Sequence, residues 1–382
     1  MIFPLDKFKT LDTPFYYYDL NVLKNTLEEI KSNVSGVPFK VHYAIKANAN
    51  DRILSIIRES GLGVDCVSGG ELNAAIKAGF DGSKIAFAGV GKTDKEISAG
   101  IDNDIFCFNV ESLPEMQVIN EIASNKGKTA NVAIRINPNI DAHTHKYITT
   151  GLNENKFGIN LPQLDDIVKA TLAMPNVKLC GFHFHIGSQI LEKEPFIMLC
   201  EKINELQDKY EKQGIEIKII NVGGGLGIDY NNPDSALIPD FKGYFDIFKQ
   251  NLKLRHGQEL HFELGRSVVA QCGSLITRVT YVKSGTAKKF IIVDAGMSDL
   301  IRPALYQAHH KIENITSTAT DVDVYDVVGP ICESSDCFGT DETLALTKRG
   351  DMIALRSAGA YGEIMASHYN LRPFAPALIW GE

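Results

Sequence analysis

The 382-residue sequence predicts an α/β chain, a (β/α)8 barrel followed by a second, all-β domain. Three observations predict it. Eight short, nearly continuous apolar runs lie between residues 38 and 266, and amphipathic stretches separate them. After about residue 266, β-like runs follow one another with no long helix between. Strands covered on both faces read as near-continuous apolar runs. Eight of them alternating with helices is the count of a TIM barrel. A doubly wound open sheet shares this alternation, and periodicity does not exclude it.

The eight runs are 38–47, 63–68, 85–90, 105–110, 131–137, 179–187, 217–223 and 260–265. Between them, residues 51–60 place Ile53, Leu54, Ile56 and Ile57 on one broad face. Residues 70–79 end at a glycine able to stop a helix, and 200–213 space Ile203, Leu206 and Tyr210 at helical intervals. The later β runs are 275–283, 289–294, 321–328 and 351–357. The opening segment, with TPFYYYDL, is extended and aromatic and is a candidate to join them. The expected division is therefore a barrel over 20–266 and a β domain of 1–19 with 267–382.

Composition narrows the function. At 44% apolar and 23% charged, the chain can bury a real core. Its 39 basic and 47 acidic side chains, net charge −8, argue against a nucleic-acid partner. The seven cysteines show no C-x-x-C spacing, so they read as reduced thiols, with no metal site and no disulfide framework. The opening MIFPLDKFKTLDTPF does not read as a secretory signal, and no apolar run reaches the ~18 residues of a membrane span. The expectation is a cytoplasmic protein with no membrane partner.

In such a barrel, chemistry gathers at the C-terminal ends of the strands. The first run ends in YAIKAN, where Lys46 is a cation in an apolar strand. Desolvation favours its neutral amine, as a Schiff base requires; the other reading is a rim lysine paired with a carboxylate. The sixth run ends in HFHIGSQ, whose His183 and His185 alternate and share a face. His185 can stack on a planar group and Ser188 can bond an anion; a metal pair and a satisfied buried histidine are the other readings. Gly223–Gly225 after the seventh run reads as a phosphate cradle or as a tight turn. Glu263 and Arg266 at the eighth end, in ELGRS, suit a ring nitrogen and an anion, or one another as an ion pair. In the β domain, Asp294–Met297, Ile301–Tyr306, Cys332–Asp336 and Ala358–Gly362 are small-residue turns, each carrying a charged or reactive group. A lysine, a stacking histidine, a glycine loop and a carboxylate for a ring nitrogen are together what pyridoxal 5'-phosphate requires.

Over nearly its whole length the sequence resembles the pyridoxal-phosphate enzymes of alanine-racemase-like fold, and among them the diaminopimelate decarboxylase family. The resemblance rests on YAIKAN, HFHIGSQI, GGGLG, ELGRS, DAGMSDLIRPALY, CESSD and AGAYG, in the family's order and spacing. It implies that Lys46 holds the cofactor as a Schiff base, that His185 stacks on its ring and that Glu263 faces its nitrogen. It places Ser188, Gly224, Gly225, Gly265 and Tyr361 around the phosphate, with Arg266 also at the cofactor. Arg266, Arg302, Tyr306, Glu333 and Tyr361 then bind the substrate, and Cys332 donates the proton. In this family Cys332 and Glu333 reach the neighbouring subunit's site, which implies a homodimer. The implied reaction takes meso-2,6-diaminopimelate to L-lysine and CO2, the last step of lysine biosynthesis. The rivals are a carboxynorspermidine or basic amino-acid decarboxylase on the same fold, and a non-catalytic pyridoxal-phosphate-binding regulatory protein. Two positions depart from the family: Leu264 where proline is commoner, and Ser335 where glycine is. The polar segment His143–Tyr147, running on to Lys156–Gly158, reads as a lid over the site or as an ordinary surface loop.

Overall fold

The computed structural model describes residues 3–141 and 156–381. The segment His143–Tyr147 lies outside the described residues. The chain forms two compact units: Met1–Thr26 with Ile228–Pro239 and Arg266–Glu382, and Leu27–Gly227 with Asp240–Gly265. Residues Ile228–Pro239, inside the stretch assigned to the barrel from the sequence, group with the β unit. The Gln271 amide there donates to the carbonyls of Pro233 and Ala236, at 3.2 and 2.6 Å.

The chain enters through β1 (Phe15–Asp19) and then builds the barrel strands in order. These are β2 (Phe39–Ala44), β3 (Gly63–Cys66), β4 (Ile85–Phe87), β5 (Cys107–Val110), β6 (Ala130–Asn137), a two-residue β7 (Ile159–Asn160) on β6, β8 (Val177–His183), β9 (Ile219–Asn221) and β10 (Glu259–Leu264). The pairing order β5-β4-β3-β2-β10-β9-β8-β6, with β5 also pairing β6, closes eight strands into a ring. Closure settles the open-sheet alternative in favour of the barrel. Parallel neighbours need crossovers, and the amphipathic stretches supply them as helices. Four helices start within seven residues of a strand end, at Asp51, Gly69, Asp94 and Leu113. Asn50, Ser68 and Ser112 accept the N–H of Arg52, Glu71 and Glu115, and Thr93 forms a capping box with Glu96. Such caps are worth ~1 kcal/mol each and fix the turns at the strand ends.

Alternation along β10 sorts its side chains between two environments. Phe262 packs on the helix Phe241–Asn251, with ring centres 4.9 Å from Phe245 and 5.1 Å from Phe248. Glu263, the next residue, bonds to side chains from three other barrel strands. Six of the eight barrel strands end one to four residues short of the apolar runs. The first run coils at Ile45–Ala47 into one 3₁₀ turn, closed by the Tyr43 hydroxyl on the Asn48 carbonyl at 2.8 Å. The sixth leaves the sheet after His183.

The β unit adds β11 (Gly273–Ser284), β12 (Lys289–Val293), β13 (Ile312–Asn314), β14 (Val322–Val328), β15 (Cys337–Ala345), β16 (Met352–Leu355) and β17 (Ala377–Trp380). Their order is β13-β16-β11-β12-β14-β15, and β1 joins by pairing β11 antiparallel and β17 parallel. Phe8, Phe15, Tyr17, Ile276 and Met352 form a core cluster there. The sequence did not call β15, whose segment CFGTDETLA is polar and half-exposed. An end strand in contact with solvent lacks the apolar run that marks a covered one.

Candidate functional site

In the barrel unit, every expected residue lies at or just past a strand's C-terminal end. Lys46 sits in the 3₁₀ turn after β2, and its amine is 4.0 Å from Asp65 Oδ2 at the end of β3. The Asp65 side chain is 1% exposed, and neither carboxyl oxygen has a hydrogen-bond partner among the described residues. Burial, and then the charge on Glu263, push its carboxyl well above the ordinary range against the pull of Lys46.

Glu263 is the most heavily supported group. Its Oε1 accepts from Asn109 Nδ2 at 2.8 Å and Asn221 Nδ2 at 2.7 Å, and its Oε2 meets His183 Nε2 at 2.9 Å. Burial works to raise its pKa, but His183, Lys46 and the Asn221 amide outweigh burial and hold it well below the usual carboxylate range. Glu263 therefore stays ionised inside the barrel.

His183 and His185 share the face expected of them but have different partners. His183 serves Glu263. His185 Nδ1 accepts the Gly224 N–H at 3.3 Å, so that nitrogen bears no hydrogen and the ring is neutral. Loss of solvation, then the charges of Lys46 and Arg135, keep it well below the ordinary histidine range. Gly224 has no room for a side chain: a Cβ would stand 2.2 Å from the Glu263 carbonyl oxygen. Gly225, at φ +116°, takes a conformation that favours glycine. The Ser188 turn is zipped to this loop through Ile190 N–H to Gly225 O at 2.8 Å and Gly227 N–H to Ile190 O at 2.9 Å. Gly265 packs against Ala44 and Ala47 of the lysine turn, where a Cβ would approach to 3.2 and 3.1 Å.

The β unit carries the arginines. Arg266, Arg302 and Tyr361 come together around Tyr230, a residue the sequence reading did not name. The Arg266 guanidinium donates to the Tyr230 hydroxyl at 2.6 Å and lies 4.9 Å from the Tyr361 ring centre. The Arg302 guanidinium lies 4.8 Å from the Tyr230 ring centre. Tyr361 is held at φ +57°, a left-handed conformation rare for a tyrosine and common at ligand sites. Tyr306 ends the short helix Arg302–Tyr306 and is half-buried.

Cys332 and Glu333 lie apart from this cluster, on an exposed turn, and among the described residues no bond or ring contact joins them to it. The turn is pinned by Asp336, which accepts the N–H groups of Met297 and Ile331, each at 2.6 Å. Glu333 takes hydrogen bonds from Tyr369 and, at 3.2 Å, from Ser335. The departure from the family pattern at Ser335 thus touches the carboxylate expected to bind substrate.

Sequence reasoning missed Asp65, Asn109, Asn221 and Tyr230, and gave His183 no firm role. A buried polar group needs a partner or a purpose. A carboxylate in GVDC and amides in CFNV and IIN were therefore available signals. The barrel's donor set fits pyridoxal 5'-phosphate: an amine, a flat neutral ring, a cradle closed to side chains and an ionised carboxylate.

Comparisons with known proteins agree with this geometry. The family model for the pyridoxal-dependent decarboxylase, pyridoxal binding domain, matches residues 20–270. The chain is 64% identical over 372 residues to the diaminopimelate decarboxylase of Bacteroides thetaiotaomicron, covering 97% of this chain and 96% of that protein. It is 41% identical over 372 residues to that of Aquifex aeolicus, covering 97% and 87%. Among solved structures, diaminopimelate decarboxylase from Helicobacter pylori complexed with L-lysine superposes with a TM-score of 0.93 at 41% identity, covering 99% of this chain and 94% of that one.

Proposed function

The chain belongs to the pyridoxal-dependent decarboxylase family, and from that premise we infer that it converts meso-2,6-diaminopimelate to L-lysine and CO2 with pyridoxal 5'-phosphate. The observation that carries the reading is Glu263, an ionised carboxylate fixed by three donors at the strand ends that also hold Lys46 and the glycine cradle. When bound, the cofactor supplies a sink for the electron pair that decarboxylation leaves behind. Every other task falls to the chain.

Lys46 would hold the cofactor through its side-chain amine. Glu263 would hold the cofactor's ring nitrogen protonated, because a carboxylate stabilised as an anion favours a cation opposite. His185 offers a flat neutral face for stacking. Ser188, Gly224, Gly225, Gly265 and Tyr361 take the phosphate, with Arg266 beside them. Cys332 Sγ would give the proton that replaces CO2, a thiol being able to act as a general acid. At the far end of the substrate, Arg266 and Arg302 pair with the second carboxylate, Glu333 takes the second ammonium, and Tyr306 and Tyr361 line the same end.

The working unit is a homodimer in which Cys332 and Glu333 serve the neighbouring subunit's site. Their position on an exposed turn, without ties to the arginine cluster, supports this. The barrel spans 20–266 and the β domain comprises 1–19 and 267–382, with Ile228–Pro239 moving to the latter on the grouping seen in the fold. The protein acts in the cytoplasm, in keeping with seven cysteines that all remain free thiols. No helix among the described residues is long and apolar enough to cross a membrane.

The test is CO2 release and lysine formation from meso-diaminopimelate by purified protein with added cofactor. Stoichiometric products, lost in the Lys46→Ala variant, are expected. Cofactor absorbance without turnover on this substrate would overturn the reading and send the search to other amino acids.

A further inference from the structure

Arg302 and Arg356 are both buried arginines of the β unit, and the fold treats them differently. Arg356 donates to Asp234 and Glu313, each at 2.7 Å. Among the described residues no carboxylate lies within ion-pair reach of Arg302. Its Nη1 meets His310 Nε2 at 2.7 Å, and its guanidinium carbon lies over the Tyr230 ring. A buried charge without a counter-charge is costly. Burial accordingly pulls the Arg302 guanidinium below its ordinary range, with Tyr230 offsetting only part of the effect.

His310 is fully buried, and its two nitrogens have one consistent assignment. The Arg356 carbonyl, 2.8 Å from Nδ1, can only accept, and the Arg302 guanidinium can only donate. Nδ1 therefore carries the hydrogen and Nε2 offers a lone pair. The ring is neutral; a second proton would remove the acceptor and set a cation against Arg302. Tyr230 accepts from Arg266 and meets the His310 ring edge-on, with centres 5.1 Å apart at 77°. A phenol and a neutral imidazole each offer an acceptor without a full negative charge. They fix where the two guanidinium groups point, and among the described residues they leave the Arg302 charge without a counter-charge.

We propose that Tyr230 and His310 are positioning residues that set substrate specificity, aiming Arg266 and Arg302 while keeping the Arg302 cation available to the distal carboxylate of the substrate. This rests on the reading of the two arginines as ligands of that carboxylate. A carboxylate in place of His310 would pair Arg302 in advance, as Asp234 and Glu313 pair Arg356, and the substrate would have to displace it.

The experiment uses the holoenzyme and its His310→Leu, His310→Gln and Tyr230→Phe variants. It measures kcat and KM for meso-diaminopimelate, the cofactor's visible absorbance, and inhibition by pimelate against hexanoate, a pair differing in the distal carboxylate. For His310→Leu, KM should rise roughly tenfold or more, with kcat within about twofold, since a hydrogen bond to a charged group is lost. Pimelate's advantage over hexanoate should shrink in parallel, and cofactor absorbance should not change. His310→Gln, with one acceptor and one donor, should restore KM to within about threefold. Tyr230→Phe keeps the ring and should raise KM roughly fivefold, carrying the test alone if His310→Leu does not fold. Unchanged KM and unchanged pimelate preference, or a fall in kcat at steady KM, would overturn the proposal. Arg302→Ala separates the two failures. If it abolishes the pimelate preference while the Tyr230 and His310 variants keep it, only this proposal falls. If it too leaves the preference intact, the carboxylate assignment of Arg302 falls with it.

Discussion

In the barrel unit the buried carboxylate of Glu263 takes hydrogen bonds from two amides and an imidazole, whereas in the β unit the buried guanidinium of Arg302 meets a phenol ring and a neutral imidazole and, among the described residues, no carboxylate. The first arrangement completes a charge and the second leaves one open. A completed anion keeps its ionisation state while the chemistry beside it changes, which suits a group that tunes a cofactor. An open cation has a standing affinity for an anion from outside, which suits a group that selects a substrate. Arg356 shows that the β unit does not leave its cations open by default, since Asp234 and Glu313 complete that one.

If the division holds, barrel substitutions change the cofactor and its rate, and substitutions at Arg302 change substrate demand. The largest effect is expected from Lys46→Ala, with turnover falling roughly 10⁴-fold or more and the cofactor's lysine-bound absorbance band lost in a spectrum of the purified protein. Glu263→Gln comes next. It removes the charge but keeps the shape, so kcat should fall about 10²–10⁴-fold while KM moves little, read by steady-state kinetics. Arg302→Lys should do the reverse, raising KM about tenfold or more with the cofactor spectrum intact, because an ammonium cannot reproduce the planar fork. An Arg302 variant that bleached the cofactor band, or a Glu263 variant that altered only KM, would break the comparison.

The smallest effect sharpens it from the completed side. Arg356 holds the Asp234 carboxyl down to about 2 through a hydrogen bond. A depressed carboxylate adds stability above its ordinary pKa and loses it as pH falls through the folded value. Because this pair is half-exposed on the aspartate side, screening limits Asp234→Asn to under about 1 kcal/mol at pH 7. Thermal unfolding should show that small gap between wild type and variant at neutral pH, closing as pH is lowered from about 4 toward 2. A gap that persisted at pH 2 would mean that Asp234 acts through packing and not through charge.

Much of this was legible in the sequence. The eight apolar runs are the eight closed strands, because a strand covered on both faces must be apolar throughout. Lys46, His185, the glycine loop and Glu263 were identifiable because each is an exception at a strand end. Asn109 and Asn221 were less visible. Each is a single amide inside a short apolar run, and only the ring closure that brings β5 and β9 to β10 shows what it bonds. Tyr230 lies in a loop with no periodicity, and β15 lacked the alternation that would have marked it.

The sequence by itself determined the barrel's strand count, the residue types at the strand ends, the cofactor they suit and the family resemblance. These follow from local pattern, since hydrophobic periodicity and strand-end chemistry act over a few neighbouring residues. Only the tertiary structure decided which charges are complete and which are open. His183 and Glu263 are 80 positions apart, and Arg356 and Asp234 are 122 apart. Electrostatic balance depends on distance through space and on burial, and neither quantity is carried by the order of residues along the chain.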